Sequence, residues 1–217
     1  MRGLNNLRNV RGGLDFFASD FDGEYPNDST AEQLAELSRD DEPSRPNNRK
    51  LDGGRKLESS RRLSKREQKE EIRYTANDYL EQVIGNGLDN EDMLYHNAFR
   101  STFEIKKSNS DGKVDKGENV WGYTRNLHRI SSGHIPVVYD SPVSTGESPR
   151  FSQKTWDGRI LVARMNGATE AVPIAGSDAK EGVVRQTIRG ESINLFSQEA
   201  LEEGQLVPAN LNRIGRN

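Results

Sequence analysis

The sequence predicts an α+β protein with a long, extended and charged N-terminal arm, a helical elbow, and a small antiparallel β domain of sandwich or barrel-like form with a C-terminal tail. Three observations lead there. Two blocks of opposite charge fill the first third: ten Asp/Glu against two Arg between Leu14 and Arg45, then ten Lys/Arg against five acids between Arg49 and Arg73. Capped, amphipathic stretches follow up to about residue 104. Beyond them, Asp157-Gly158 and Asn166-Gly167 punctuate apolar runs as hairpin turns do. The boundaries expected from this are 1–62 for the arm, 63–105 for two helices, 106–195 for the β domain and 196–217 for a helix and tail.

Composition agrees with a chain that is only partly core. Hydrophobic residues make up 32% and charged residues 30% of 217 positions, below the roughly 45–50% apolar share of an ordinary domain. The apolar runs place the core in about half to two thirds of the chain. A net charge of −3 argues against a general nucleic-acid binder, leaving phosphate contact to the basic tract 49–73. No cysteine is present, so disulfides and thiolate metal sites are excluded. Neither a signal-like apolar run nor a stretch near the roughly 20 apolar residues of a bilayer span occurs, so a soluble, non-secreted protein with no membrane partner is expected.

Residues 1–13 carry three Arg and short Leu spacings, compatible with a basic helix or an extended peptide. Ser29-Thr30-Ala31-Glu32 has capping-box spacing, and Leu34 and Leu37 follow on one face, predicting a short helix over 30–38 that docks through two leucines. The basic block repeats Arg49-Lys50-Leu51, Arg55-Lys56-Leu57 and Arg61-Arg62-Leu63 at a step of six. In an α-helix that step turns by about 240° and scatters the leucines, whereas an extended chain returns them to one side. Gly53-Gly54 also opposes a helix, so the segment reads either as an arm lying on a neighbour or as a solvated linker. Ser64 and Glu67 cap a helix running to about Ile84, ended by Gly85-Asn86-Gly87. A second helix over 90–104 has Asp89 or Asn90 as cap, with Met93, Leu94, Ala98 and Phe99 on a face.

In the β region the two turns divide Arg150–Trp156, Arg159–Met165 and Ala168–Ile174 into a three-stranded meander. Ile160 to Ala163 is apolar at every position, as in a strand covered on both faces. His134–Asp140, Val183–Ile188 and Trp121–Ile130 read as further strands, Ser197–Glu203 as a short helix, and Gly204–Asn217 as a second, neutral-to-basic tail.

Chemistry is harder to find. Lys107 to Glu118 is similar to the twelve-residue EF-hand calcium loop when aligned on Gly112, with Asn109, Asp111, Asp115 and Glu118 at ligand positions. Lys107 stands where that loop has its first Asp, and Gly117 and Gly122 weaken the exiting helix, so a turn at Ser110-Asp111-Gly112 is the other reading. His96, His128 and His134 lack the partners of a metal site. Ser131 or Ser132, His134 and Asp140 are the residue types of a hydrolytic triad, but no nucleophile elbow surrounds them. Trp121, Tyr123, Tyr139 and Trp156 read as core aromatics. No catalytic, cofactor or metal residue is therefore assigned, and no enzyme activity or cofactor is expected. The expected role is structural: a component of a large assembly, a phage virion protein of head, connector or tail, assembled in the host cytoplasm. It would bind neighbouring protein subunits through its arms and β domain, as a homo-oligomer or hetero-complex. The alternatives are a regulatory calcium-binding module built on 107–118 and an intracellular adaptor whose tail folds on binding.

Overall fold

The computed structural model describes residues 2–40, 74–176, 180–188 and 190–214. Its first element, α1 (Arg2–Asp20), puts Leu7, Val10, Leu14 and Phe17 on one buried stripe at helical spacing. The helix α2 (Asp28–Asp40) starts two residues before the predicted helix. Asn27 Oδ1 accepts from the Thr30 amide and Thr30 Oγ1 accepts from the Asn27 amide, both at 2.9 Å, so the reciprocal cap is Asn27/Thr30. Leu34 packs against the core while Leu37 stays 60% exposed, so one leucine docks rather than two. α3 (Ala76–Glu81) is a short helix with a capping box between Thr75 and Asp78.

Residues 2–40 are thus helical and packed, not an extended arm. The apolar stripe continues straight through the change of charge at Leu14, and burying it outweighs two helical glycines. The basic repeat 49–63 and the predicted caps Ser64 and Glu67 lie outside the described residues. The predicted helix over 90–104 is instead two 3-10 helices, Glu91–Leu94 and Asn97–Ser101. Asn90 and His96 each accept a hydrogen bond from the amide two residues on, and the second of these caps interrupts the helix at Tyr95-His96.

The strands are β1 (Phe103–Glu104), β2 (Trp121–Arg125), β3 (Pro136–Asp140), β4 (Phe151–Ser152), β5 (Arg159–Arg164), β6 (Thr169–Ala175), β7 (Glu181–Ile188) and β8 (Glu191–Asn194). After the short helix α4 (Gln198–Leu201) come β9 (Gln205–Val207) and β10 (Asn212–Arg213). One curled antiparallel sheet, a half-barrel, runs β4-β7-β6-β5-β3-β2-β9 with β8 on β7, and β1 pairs with β10 separately. The hairpin β5–β6 is as expected: Gly167 has φ 82°, its amide donates to the Arg164 carbonyl, and Asn166 Oδ1 accepts from the Ala168 amide.

The other predicted turn is placed differently. Asp157 and Gly158 do take positive φ, 52° and 77°, but they do not join a meander, because β4 pairs with β7 rather than β5. β5 gains β3 on its other side, Tyr139 opposite Val162. Nor is 204–214 simply a tail, since β9 lies beside β2 and β10 beside β1.

β5 is buried from Ile160 onward because both faces are covered. On one side α1 crosses so closely that a Cβ on Gly3 would stand 2.5 Å from the Trp156 ring and 2.9 Å from Leu161. On the other, Tyr139 lies over Gly122 and packs on Phe196, which packs on Phe151. Mid-helix, Arg11 is 4% exposed; its Nε and Nη2 donate to the carbonyls of Arg164 and Met165 at 3.0 and 2.9 Å, and it pairs with Asp15.

The two adjacent glycines of α1 have opposite roles. Nothing approaches Gly12, whereas a Cβ on Gly13 would stand 2.8 Å from the Gly87 carbonyl oxygen. Gly12→Ala is therefore expected to stabilise by about 1 kcal/mol through helix propensity. Gly13→Ala is expected to destabilise by about 1 kcal/mol or more despite the same propensity gain, because backbone must move. Urea unfolding midpoints of the two variants test the pair.

Candidate functional site

The loop 107–118 forms the predicted turn, with Ser110 at φ 57° and Gly112 at φ 81°. Its oxygens do not converge on a common point. Asp111 Oδ1 accepts from the Lys113 amide at 3.1 Å, and Asp111 Oδ2 accepts from Asn109 Nδ2 at 3.0 Å. Lys106 Nζ lies 3.2 Å from Asp115 and 3.4 Å from Glu118, the carboxylates of the ninth and twelfth positions. Those contacts raise the Lys106 ammonium above the usual lysine range, the Asp115 hydrogen bond foremost. Lys107, the departure from the calcium pattern, pairs with Asp92 at 3.3 Å. From outside the loop, Glu91, only 5% exposed, accepts from the Gly112 amide at 2.6 Å and from the Ser108 hydroxyl. Among the described residues no group of three or more His, Asp or Glu side chains is arranged to hold a metal ion.

The histidines stand apart. His128 faces the Asp22 carbonyl through Nε2 at 3.1 Å. His134 lies 3.8 Å from Glu202, and the same carboxylate accepts the Ser132 hydroxyl at 2.7 Å. That Ser132 proton goes to a carboxylate rather than to a histidine, and Asp140 is elsewhere, so Ser132, His134 and Asp140 do not form a triad. Ser132, His134 and Glu202 line an open cavity of about 420 Å³ that also holds Glu191 and Glu199.

Asp140 is the most perturbed acid. It sits on the α1 face of β3, 2% exposed, accepting the Leu161 amide at 3.0 Å. Oδ1 faces the Trp156 indole without closing a hydrogen bond. Burial drives its carboxyl well above the usual range, more than those two N–H groups offset. The buried aromatics serve the core: Tyr123 donates to the Pro26 carbonyl at 2.9 Å and Tyr139 to the Tyr123 carbonyl at 2.8 Å, while the Trp121 indole N–H donates to the Met93 carbonyl at 2.9 Å.

Another cavity, of about 430 Å³, opens at the start of α1 and is lined by Arg2, Asp92, Tyr95, His96, Asn97, Arg100 and Lys107. Tyr95 donates to Asn97 Oδ1 at 2.6 Å and accepts from Arg100 Nη2 at 2.9 Å. His96 packs at a tilt against Trp156, 4.7 Å between ring centroids, and its Nδ1 accepts from the Ala98 amide. Burial, then the nearby Arg2, lowers its affinity for a second proton. Sequence reasoning missed this grouping because its cations are spread over more than a hundred residues and join through a helix start, a 3-10 turn and a loop.

Compared with protein-family models, curated proteins and solved structures, the chain matches none. Among the described residues no helix is long and apolar enough to cross a membrane.

Two outcomes follow. Because the 107–118 carboxylates already bond to Lys106 and to backbone amides, calcium added to about 1 mM is expected to leave tryptophan emission unchanged, Trp121 being the nearby reporter. For Asp140, a folded-state pKa raised above the unfolded value of about 3.9 means that its stabilising contribution is complete below pH ~4 and is lost as pH rises toward the folded value. The melting temperature of Asp140→Asn should therefore gain on the wild type as pH is raised from about 4 to 8, and a constant difference would refute the assignment.

Proposed function

We propose that this chain is a structural component of a larger protein assembly, the virion being the setting expected from its sequence, and that it joins copies of itself. The observation that carries this is the exposure of large apolar side chains where the loop after β2 meets α1. Ile130 is 88% exposed and Phe16 60% exposed. Arg129 donates to the Asp15 carbonyl at 2.9 Å and to the Ser19 hydroxyl, so residues 128–130 lie along the last turns of α1, where Phe16 stands. Arg129 and the antiparallel bridge between Glu24 and His128 hold that flank in place, which lowers the ordering cost of docking. Burying two such side chains stabilises contact by about 1.5–3 kcal/mol each.

The sheet adds a second means of joining. Among the described residues β9 ends the strand order with one neighbour, leaving three residues of edge backbone for pairing with another chain.

Sedimentation of the full chain tests the reading. The wild type is expected to self-associate at concentrations of about 10–100 µM, and Phe16→Asp combined with Ile130→Asp should return it to a monomer with unchanged circular dichroism. A wild type that stays monomeric throughout that range would overturn it.

A further inference from the structure

The cavity at the start of α1 has a charge balance that its own residues leave incomplete. Lys107 is matched by Asp92 at 3.3 Å. Arg100 has the Tyr95 hydroxyl as its polar partner at 2.9 Å, and no carboxylate among the described residues. Arg2, on the first turn of α1, has no ion-pair partner among them either. Two guanidiniums without an ion-pair partner thus line one concave space whose single acid, Asp92, is paired with Lys107, leaving a net positive charge that an anion would stabilise.

Of the remaining polar groups Asp92 is an acceptor, its charge matched by Lys107 although its Oδ1 is buried without a partner among the described residues, while His96 and Asn97 are donors in the right chemical state. Because His96 Nδ1 accepts the Ala98 amide at 3.1 Å, the neutral ring carries its proton on Nε2, free to donate. Asn97 takes the Tyr95 hydroxyl on Oδ1, leaving its amide hydrogens to donate. Planar guanidinium forks match the oxygen spacing of phosphate, and an imidazole N–H and an amide add to the donor set that fixes such a group.

We infer that this cavity is a phosphate site, held by Arg2 and Arg100 and flanked by Lys107, His96 and Asn97. At about 430 Å³ it falls within the range of small-molecule pockets, so the phosphate can belong to free phosphate or to a small phosphate ester. None of its residues belongs to the Phe16–Ile130 surface, so it stands or falls independently of self-assembly.

Titration of the full chain with inorganic phosphate, and separately with a nucleoside monophosphate, followed by calorimetry and by the His96 ring resonances, decides the matter. Saturable binding below about 10 mM with movement of the His96 signals is expected. Tighter binding of the nucleotide marks an ester as the natural source, and equal binding marks free phosphate. Arg2→Gln with Arg100→Gln should weaken binding at least about tenfold at unchanged melting temperature, while Arg8→Gln on the same helix should leave it unchanged. No saturable response to either probe, or equal weakening by Arg8→Gln, overturns the site.

Discussion

Arg11 enters the core where α1 crosses the end of β5, and its guanidinium donates to the carbonyl of Arg164, which also accepts the Gly167 amide, and to that of Met165. A buried cation is tolerable only if its charge and its hydrogens are matched, and here Asp15, one turn along the same helix, supplies the charge. Asp15 is fixed in turn by the Tyr25 hydroxyl, which donates to it at 2.6 Å, and the Tyr25 ring lies 5.4 Å from the guanidinium. Burial and that carboxylate push the Tyr25 phenol up to about 12, so the hydroxyl remains a donor across the physiological range. Helix, hairpin and the turn before α2 are therefore registered on one polar cluster. Gly3 and Gly13 set how close the helix can come, and the cluster sets where along its length it stops.

A second polar junction ties the other elements together. Asn77 on α3 donates to the carbonyls of Val114 and Asp115 at 3.1 and 2.9 Å, and its Oδ1 accepts from Asn119 and from the Asn210 amide. One side chain thus holds the 107–118 loop, the approach to β2 and the C-terminal segment. This is how a chain with 32% hydrophobic residues closes a core: aromatic rings fill volume, and buried amides satisfy the irregular backbone between short strands. The same logic explains the loop's carboxylates. Glu91 and Glu118, 5% and 2% exposed, act as acceptors for backbone amides, work that in a calcium loop falls to the cation.

The surface features divide by chemistry. Ile130, the most exposed large apolar side chain among the described residues, stands with Phe16 where α1 and the loop after β2 meet, which suits protein contact. At the opposite end of α1, Arg2 and Arg100 line one cavity without an ion-pair partner among the described residues, which suits an anion. Both depend on the seating of α1, since the helix carries Phe16 near one end and Arg2 at the other.

Local signals in the sequence reached far. The α+β class, strands at Pro136–Asp140, Arg159–Arg164 and Glu181–Ile188, the Asn166-Gly167 hairpin and the helix after Ser197 were legible, because each is specified by residues a few positions apart. The positive φ at Asp157-Gly158 was legible too, but which strands the bend connects was not, since pairing β4 with β7 is settled by packing across the sheet. The stripe in α1 was written in the sequence and obscured by a change of charge at Leu14; only the sheet beneath gives it something to bury against. Lys107, Asp92, Arg100 and Arg2 carry no spacing signal at all, so their grouping belongs to tertiary structure alone. The sequence by itself determined the elements whose hydrogen bonds and turns close locally; the tertiary structure decided strand order and the sites, because long-range burial and charge matching have no signature at short separation.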